Sequence, residues 1–429
     1  MFQKIGVLIF LILLGIFRAA LANDLKEIGS YFNEARSATG ENKKFWGVDL
    51  YGPILLVEPE SRNIFANVEA SSGVLEKKEQ VFIGKLPDNI GIANTCVNWE
   101  GKSWAMVMLP ISDNRSERLN LLTHELFHCS QVKLGFPANN PSNSHLNEKE
   151  GRILFRLELQ ALKKAIAAET ISERKKHIIS ALTFRTYRQE SFNEAKVEEN
   201  LLELNEGLAE YTGLMMSGRG SNQIKAHLIN NLSSFVSNPS FVRSFAYVTT
   251  PAYGYLLFTN NKNWHKEISS DDNLIDYLQK VFQIQLTIRK NDLPNELSDD
   301  YNGIAIYEEE SLRDEEIKRI KQEYINKFVK NSNLAIKLEK MNITFDPRNL
   351  VPLDGYGTVY PNLKITDTWG VLTVENGALL ATTWDKVSVS KPTKISKNRA
   401  VGDGWVLELA DGYSIRLDKK GNNYYLLAQ

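Results

Sequence analysis

Two histidines four residues apart, inside an apolar helical segment, constrain this chain more than any other feature. Residues 121–128 contain the pattern His-Glu-x-x-His, with His124, Glu125 and His128 as its chemical groups. On an α-helix, residues four apart lie on one face, about 6 Å apart along the axis, so both imidazoles can reach one metal ion. Zinc suits neutral imidazole ligands and leaves room for a water molecule.

Chance is a weak explanation for this pattern. The chain has only 6 histidines in 429 residues, so two of them rarely fall at this spacing with a glutamate after the first. The alternative is a core helix whose two histidines are satisfied by ordinary hydrogen bonds.

A second helical segment, residues 204–211, offers the remaining groups of such a site. Glu206 would complete a set of three ligands, and Glu210, one turn later on the same face, would accept the other ring N–H of a ligating histidine. Glutamates four apart are also common on solvated helix faces, which is the alternative for this pair. Glu148, 20 positions after His128, is a rival third ligand.

Two motifs together resemble those of the gluzincins, the zinc metallopeptidase clan of thermolysin and the aminopeptidase-N-like enzymes: His-Glu-x-x-His at 124–128 and Asn-Glu-Gly-x-Ala-Glu-Tyr at 205–211. The resemblance implies a zincin-like catalytic domain with one zinc ion per chain, held by His124, His128 and Glu206. It also implies that Glu125 is the general base and that Glu210 is the acid that the family places behind a ligand.

The chain departs from the family in features that concern the substrate. Between His128 and Glu206 the interval is 78 positions, much longer than in the aminopeptidase branch. The Gly-Ala-Met-Glu-Asn strand that holds a substrate's free amine in that branch is missing, and so is the Asn-Ala-Phe-Trp strand of thermolysin. We therefore expect peptide-bond hydrolysis, with an endopeptidase favoured over an aminopeptidase.

Residues 1–22 predict a secretory signal peptide. Lys4 supplies a positive start, residues 5–17 form an apolar run of 13 residues, and Ala20-Leu21-Ala22 is a small-x-small cleavage site. An uncleaved anchor is the alternative, although the run is short for a bilayer. Cleavage after Ala22 would give a secreted or periplasmic protein without stable membrane insertion.

The charge balance gives no reason to expect a nucleic-acid partner. The chain has 51 Lys and Arg against 52 Asp and Glu, so it has no excess of positive charge to attract nucleic acid or an anionic membrane. The expected partner is a peptide or protein substrate, and the sequence leaves the oligomeric state open.

Residues 23–113 predict the N-terminal α+β part of the catalytic domain. A short helix is expected at 23–38, and strands are expected at 54–57, 63–66, 80–83, 91–94 and 104–108. The strand at 103–109 is a candidate sheet edge for an extended substrate, with an ordinary central strand as the alternative. Cys96 and Cys129 would clamp the sheet to the metal helix if they pair; otherwise they are two buried thiols.

Residues 114–345 predict a mostly helical part that contains the metal site. Asp113 or Ser116 is expected to cap its first helix. The charges of the helices that follow are expected on a solvated face, and the histidines outside the motif at the surface. These residues are Glu148, Glu150, Arg152 and Glu158, and His145, His177, His227 and His265.

Residues 249–255 interrupt this helical pattern after the third ligand. Related enzymes use a Tyr or His in this part of the chain to stabilise the tetrahedral oxyanion, which makes Tyr253 and Tyr255 the candidates. The alternative is that both are packed aromatics. Further helix is expected at 273–282 and 311–341.

Residues 348–429 predict a small all-β module of the sandwich type. Asn376-Gly377 and Asp411-Gly412 each lie between two apolar runs and accept the positive φ angles of tight hairpin turns. Gly421-Asn422 is expected to begin another hairpin.

Together these features predict an α+β chain with a zincin-like catalytic domain and a C-terminal β module. The expected function is that of a secreted zinc metallopeptidase in which Glu125 takes a proton from the attacking water. Two alternatives remain: an exported zinc-containing binding or adhesion protein without turnover, and an amidase acting on cell-wall peptide. Zinc is the only cofactor expected.

Overall fold

A computed structural model of the chain describes residues 25–41, 45–136, 138–286, 295–345, 349–418 and 422–428. The segment predicted as a signal peptide lies outside these residues. The fold is mixed α+β, with a helical middle region and a C-terminal all-β region. The chain divides into unit 1, which comprises Met1–Asn143, Glu158–Phe235 and Phe245–Asp292, and unit 2, which comprises Ser144–Leu157, Val236–Ser244 and Leu293–Gln429.

Unit 1 opens with helix α1, residues 25–41, and a six-stranded sheet. The strands are β1 (Ile54–Val57), β2 (Asn63–Ala66), β3 (Glu76–Lys78), β4 (Val81–Lys85), β5 (Thr95–Trp99) and β6 (Lys102–Met108). All four residues of β1 are buried, as expected for an apolar run in the interior of a sheet. Strands β1 and β2 form at the predicted positions and pair in antiparallel register.

The strand order β3-β4-β2-β1-β6-β5 changes the expected substrate edge. Strand β6 lies between β1 and β5, so the interpretation of 103–109 as an edge is wrong and its alternative, a central strand, holds. The edge is β5, which pairs with β6 in antiparallel register. The sequence predicts this strand at 91–94, four residues before the observed start of β5. The turn that follows β5 begins only at Glu100 and Gly101, both of which have positive φ.

The helices of unit 1 follow this sheet. They are α2 (Arg115–Ser130), the part of α3 (Lys149–Ala167) from Glu158 onwards, α4 (Ile171–Ser191), α5 (Ala195–Leu202), α6 (Leu208–Met216), α7 (Ser221–Ser234), α8 (Ala246–Asn260) and α9 (Leu274–Phe282). A π-helical turn, Glu203–Gly207, joins α5 to α6. The cap of α2 is Asn114 instead of the predicted Asp113 or Ser116, because its side chain accepts from two N–H groups of the first turn.

An aromatic cluster fastens α2 to α6 behind the histidine pair. The Trp46 indole packs against Phe127 of α2, with ring centroids 5.3 Å apart, and donates to Thr212 Oγ1 of α6 at 2.9 Å. Tyr211 of α6 accepts from the Trp264 indole at 2.9 Å. The two helices that present the motif residues are therefore held by buried polar contacts as well as by apolar area.

A disulfide joins Cys96 of β5 to Cys129 of α2, with the Cα atoms 5.2 Å apart. The sequence left open whether the two cysteines pair, and the structure settles that they do. The bridge ties the edge strand of the sheet to the residue that follows His128.

Unit 2 contains the first part of α3, helices α10 (Asn295–Asp299) and α11 (Gly303–Ile325), and a second π-helical turn, Asn326–Lys330. Two buried arginines of α3 meet one buried acid of α11: Arg152 Nε lies 2.6 Å and Arg156 Nη1 2.9 Å from the Glu310 carboxylate. None of the helices that the structure describes combines the length and hydropathy needed to span a membrane.

Thirteen strands complete unit 2 as two sheets. They are β7 (Asn333–Lys337), β8 (Asn342–Phe345), β9 (Val351–Leu353), β10 (Gly357–Tyr360), β11 (Leu363–Asp367), β12 (Gly370–Val374), β13 (Ala378–Leu380), β14 (Lys386–Ser390), β15 (Pro392–Ile395), β16 (Arg399–Gly402), β17 (Trp405–Leu409), β18 (Tyr413–Leu417) and β19 (Tyr424–Ala428). The sheet orders are β18-β19-β7-β14-β13-β10-β9 and β15-β16-β17-β12-β11-β8. One apolar cluster includes buried residues of both sheets.

The β region starts earlier than predicted. Helix ends at Ile325, the π-helical turn ends at Lys330, and β7 and β8 occupy residues that the sequence assigned to helix or to the helical domain. The reason is visible in β7, where Leu334 and Ile336 alternate on one buried face, a period of two that a short window confuses with helical spacing. The predicted boundary at 348 therefore falls inside the β region.

Two of the predicted hairpins are connections between the sheets. Strands β12 and β13, on either side of Asn376-Gly377, belong to different sheets, and so do β17 and β18 around Asp411-Gly412. Gly377 and Gly412 do adopt the expected positive φ. Turn chemistry was therefore predicted correctly and strand pairing wrongly. Strands β18 and β19 do pair as a hairpin, although Gly421 of its predicted turn lies outside the described residues.

We expect removal of the disulfide to destabilise the protein. The bridge closes a sequence separation of 33 residues, and native disulfides typically contribute about 2–4 kcal/mol, in part by restricting the unfolded chain. Urea unfolding of the Cys96→Ser, Cys129→Ser double variant should give a free energy of unfolding lower by about this amount. Wild type unfolded in a reductant is the matched control and should unfold at the same midpoint as the variant. Equal midpoints for the variant and the oxidised wild type would contradict the expectation.

His265 is buried, contrary to the prediction of a surface residue, as is His145. Its Nε2 donates to the Phe45 carbonyl at 2.6 Å, and its ring stacks on Phe45 with centroids 3.9 Å apart. Nδ1, the atom that would take a second proton, is buried with no hydrogen-bond partner among the described residues. Burial therefore lowers the pKa of His265 to about 4, although the hydrogen bond to Phe45 opposes the shift.

This histidine should make the folded state sensitive to acid. Below its usual pKa of 6.5 the unfolded chain binds a proton at His265, while the folded chain does so only near pH 4, so stability falls as the pH drops between these values. The slope from one such group is at most about 1.4 kcal/mol per pH unit. In His265→Gln, urea unfolding across this window should show a shallower loss than in wild type, and an unchanged slope would argue against this pKa.

Candidate metal centre

Helix α2 and the π-helical turn bring three candidate metal ligands together. His124 Nε2 and His128 Nε2 are 3.1 Å apart, and Glu206 Oε2 lies 3.7 Å from the first and 3.4 Å from the second. One ligand atom from each residue lies within 4.8 Å of the others. The structure thus brings the two distant motifs to one point, and this group includes Glu206 and does not include Glu148.

Close backbone packing makes this approach possible. A Cβ at Gly207, the last residue of the π-helical turn, would lie 2.0 Å from Thr250 Oγ1 of α8. A Cβ at Gly213 of α6 would lie 2.6 Å from the Asn120 carbonyl of α2. Real side chains do not tolerate such distances, so glycine is needed at both positions for α8 and α2 to approach the segment that presents Glu206.

The far side of each imidazole has its own hydrogen-bond partner. His124 Nδ1 lies 3.0 Å from Glu210 Oε2, and Asn120 Nδ2 donates to the other oxygen of that carboxylate at 2.9 Å. His128 Nδ1 lies 2.8 Å from Gln131 Oε1. Glu210 therefore contacts the ring nitrogen of His124 that faces away from His128.

These contacts leave two Nε2 atoms and a carboxylate oxygen facing one another, an arrangement that needs a positive charge at its centre. Without a metal that charge is a proton. Burial disfavours the charged imidazole, but the nearby carboxylates of Glu206 and Glu210 outweigh burial and raise the pKa of His124 to about 10. Burial likewise disfavours the Glu206 carboxylate, but its contacts with His124, His128 and the Tyr247 hydroxyl outweigh burial and lower the pKa of Glu206.

Glu125 lies beside this group and lines the same cleft. Its side chain is buried, and Oε2 has no hydrogen-bond partner among the described residues. Burial raises the pKa of the Glu125 carboxyl, while the charges of His124 and His128 oppose the shift. A buried carboxylate with a free oxygen and a raised pKa has the properties of a proton acceptor.

The tyrosine at the site is Tyr247, which the sequence did not single out. Its hydroxyl donates to Glu206 Oε2 at 2.5 Å, and its ring stacks on His124 with centroids 5.6 Å apart. Burial, reinforced by the charge of Glu206, raises the pKa of Tyr247 far above the usual range, so the hydroxyl stays a donor. Tyr247 also lines the cleft.

Neither predicted tyrosine lines this cleft. Tyr253 lies six residues and Tyr255 eight residues beyond Tyr247 on α8, about 9 and 12 Å along the axis. The Tyr253 hydroxyl donates to Glu158 Oε1 at 2.7 Å in the buried interior, and Tyr255 is also buried. The alternative of packed aromatics therefore describes both. The helix does not break at 249–255 because α8 accommodates Pro251 in its interior.

Tyr253 belongs to a buried ion cluster that supports the π-helical turn. Arg185 Nη2 lies 2.6 Å from Glu203 Oε2 and Nη1 3.2 Å from Glu158 Oε1. Thr249 of α8 donates to the other Glu203 oxygen at 2.9 Å. Glu158 and Arg152 are thus buried in ion pairs, where the sequence predicted a solvated face. The helical insert between the motifs anchors the first residue of the turn that presents Glu206.

The three-ligand group opens into a cleft of about 580 Å³. Edge strand β5 contributes Cys96 and Asn98 to its wall, and the chain beyond α2 contributes Gln131 and Lys133. Of the described residues that line this cleft, only Glu125 and Glu206 are acidic.

Sequence reasoning missed Tyr247 and Gln131. Tyr247 carries no motif; the only signal was its position after the third ligand, which it shares with several tyrosines. Gln131 had a weak signal, since it follows His128 by three residues and so returns to the same side of the helix end. Nothing in the sequence indicated that the Gln131 side chain would contact the His128 imidazole. The cap at the other end of α2, Asn114, was likewise not predicted.

Comparison of the chain with protein-family models, with curated proteins and with solved structures finds no match in any of the three.

Proposed function

We propose that the protein is an exported zinc metallopeptidase with gluzincin-like site chemistry, acting as an endopeptidase. One observation carries the proposal: the Nε2 atoms of His124 and His128 and the Oε2 atom of Glu206 converge within 4.8 Å beside the buried carboxylate of Glu125. A buried proton acceptor next to a metal-ligand group is the arrangement required for water attack on an amide.

The spacing of the ligand atoms fits zinc. A tetrahedral ion with bonds of about 2.0–2.1 Å has ligand atoms about 3.3 Å apart, and the three distances here are 3.1, 3.4 and 3.7 Å. Two imidazoles and one carboxylate leave a fourth position open, as in catalytic zinc sites. Bound there, zinc would act as a Lewis acid on the scissile carbonyl and make a water molecule more acidic.

Residues of the chain would supply proton transfer, stabilisation of the oxyanion and orientation of the imidazoles. Glu125 takes the proton of the attacking water through its free oxygen and passes it to the leaving amine. Tyr247 donates its hydroxyl at the ligand group, where it can stabilise the negative charge that develops on the carbonyl oxygen. Glu210 and Gln131 hold the two imidazoles in place.

Strand β5 is the proposed substrate-binding edge. It is one of the two outermost strands of its sheet, and its residues line the cleft. An extended peptide can add to such an edge through main-chain hydrogen bonds, which are largely independent of side-chain identity. An open edge admits chain on both sides of the scissile bond, and the cleft has no acidic residue beyond Glu125 and Glu206 among the described residues to bind a free amine, so an endopeptidase is favoured.

An extracellular or periplasmic location is part of the proposal. The segment at 1–22 has the composition of a secretory signal. The Cys96–Cys129 disulfide is of the kind that persists in oxidising compartments. The substrate is a peptide or protein, and no feature of the site favours nucleic acid.

Glu125→Gln is the direct test. The amide keeps the shape of the side chain and loses the base, so kcat on a mixed peptide library should fall by about 10²–10⁴-fold, while zinc content stays at one per chain. Wild type and variant are compared by mass spectrometry of the products and by metal analysis. Zinc retention with no cleavage by wild type would favour a binding protein, and cleavage confined to cell-wall peptides would favour an amidase.

Tyr247→Phe should lower kcat and leave KM nearly unchanged. The ring still stacks on His124, but the hydroxyl is lost; removal of one oxyanion donor typically costs about 10²–10³ in kcat. Steady-state kinetics on one cleaved peptide measures the effect. Tyr255→Phe is the matched control on the same helix and should retain wild-type kinetics; an equal loss in both variants would contradict the role of Tyr247.

A further inference from the structure

We propose that Gln131 is a positioning residue that fixes the tautomer of His128, and that its amide is oriented by a hydrogen-bond relay starting at the main-chain carbonyl of Asn139. The relay runs from Asn139 through the side chains of Asn205 and Gln131 to His128. It rests on the proposed function, because it concerns how His128 presents a lone pair to the metal.

The relay starts at a group with only one possible role. The Asn139 carbonyl can only accept, and Asn205 Nδ2 lies 2.7 Å from it. The same nitrogen lies 3.2 Å from Glu206 Oε1, a second acceptor. Both neighbours therefore require the NH₂ group of Asn205 on this side, which places its Oδ1 on the opposite side.

The orientation passes from Asn205 to Gln131 and then to the imidazole. Gln131 Nε2 donates to Asn205 Oδ1 at 2.8 Å. An amide oxygen cannot donate, so Gln131 must turn its NH₂ group towards Asn205 and its Oε1 towards His128. Oε1 lies 2.8 Å from His128 Nδ1. Nδ1 is therefore the protonated nitrogen, and Nε2 keeps its lone pair on the side of Glu206.

The partners of the two histidines differ in whether they fix the tautomer without help from other groups. Behind His124 the partner is the carboxylate of Glu210, which can only accept when ionised and so selects the Nδ1–H tautomer by itself. Behind His128 the partner is an amide, which would favour the opposite tautomer if its two ends were exchanged. Gln131 and Asn205 are 2 % and 6 % exposed, so bulk water has little access to satisfy an exchanged amide, and a mismatched buried pair is costly.

The relay also couples the parts that build the site. Gln131 follows the last turn of α2, Asn139 lies in the loop beyond it, and Asn205 directly precedes Glu206 in the π-helical turn. The orientation of the second ligand and the position of the third are therefore set by one set of hydrogen bonds.

Two variants of Gln131 test the proposal through zinc affinity. Gln131→Met keeps the length of the side chain and removes the acceptor; loss of such a partner typically weakens metal binding about 10–100-fold. Gln131→Glu still accepts from Nδ1 and should keep wild-type affinity, although its contact with Asn205 Oδ1 is lost and stability falls. A residue that serves only packing would show the reverse order, since methionine is tolerated in a buried position and a carboxylate is not.

The affinities are measured by competition with a chromophoric chelator. Gln223→Met is the matched control: it removes an amide that accepts from the Gly220 N–H at the start of α7, so it should lower stability without changing zinc affinity. Equal zinc affinity in Gln131→Met and wild type would overturn the proposal.

A second measurement needs no metal. Nitrogen NMR of the metal-free chain at alkaline pH reports which ring nitrogen of His128 is protonated, with its signals assigned by their loss in His128→Gln. We expect the Nδ1–H tautomer in wild type and a shift towards Nε2–H in Gln131→Met. An Nε2–H form in wild type would refute the relay. A wild type that shows the Nδ1–H form and binds no zinc would instead refute the proposed function and leave the relay standing.

Discussion

The close approach of α2 to the segment of the π-helical turn and α6 is the constraint on which the site depends. Ligand positions in a metal site tolerate only about 0.2 Å of error, yet the candidate ligands come from segments 78 residues apart. Gly213 permits the contact with α2, Gly207 admits Thr250 of α8 beside the turn, and the Trp46 indole bridges Phe127 of α2 and Thr212 of α6. The disulfide then ties the edge strand to the same helix.

Sequence patterns located the ligand group because its chemistry lies in residue type and spacing. Two histidines four residues apart lie on one face of a helix, and the same spacing places Glu206 and Glu210 on one face. Tyr247 could not be chosen in this way, because the choice among the tyrosines of α8 depends on which turn meets the π-helical turn. That contact is set by Gly207 and Thr250, two residues without chemical signal. Local spacing therefore predicts groups within one element, while groups that meet across elements require the packing.

The same limit explains the wrong predictions for strand pairing in the β region and for charged residues in the helical insert. Asn376-Gly377 and Asp411-Gly412 specify positive φ, and the glycines adopt it. A turn does not specify whether the strands that leave it pair with each other or enter opposite sheets. That choice depends on how the apolar residues of both sheets pack into one core. Glu158 was misplaced on a solvated face for a related reason. A charged residue looks exposed in sequence until the arginines that neutralise it, here Arg185 and Arg188 from another helix, are brought beside it.

One imidazole has a carboxylate as its partner and the other has a neutral amide, and this difference has an electrostatic consequence. With a dication bound, as proposed, the carboxylates of Glu125, Glu206 and Glu210 leave the buried group with a net charge of −1. A carboxylate in place of the Gln131 amide would make it −2, and the added negative charge would raise the pKa of Glu125 further and hold its proton more tightly. A neutral acceptor avoids this, but an amide has two unlike ends, so its orientation must be fixed by its neighbours. The Asn139 carbonyl and Asn205 meet that requirement, so the loop that contains Asn139 helps to orient the partner of His128.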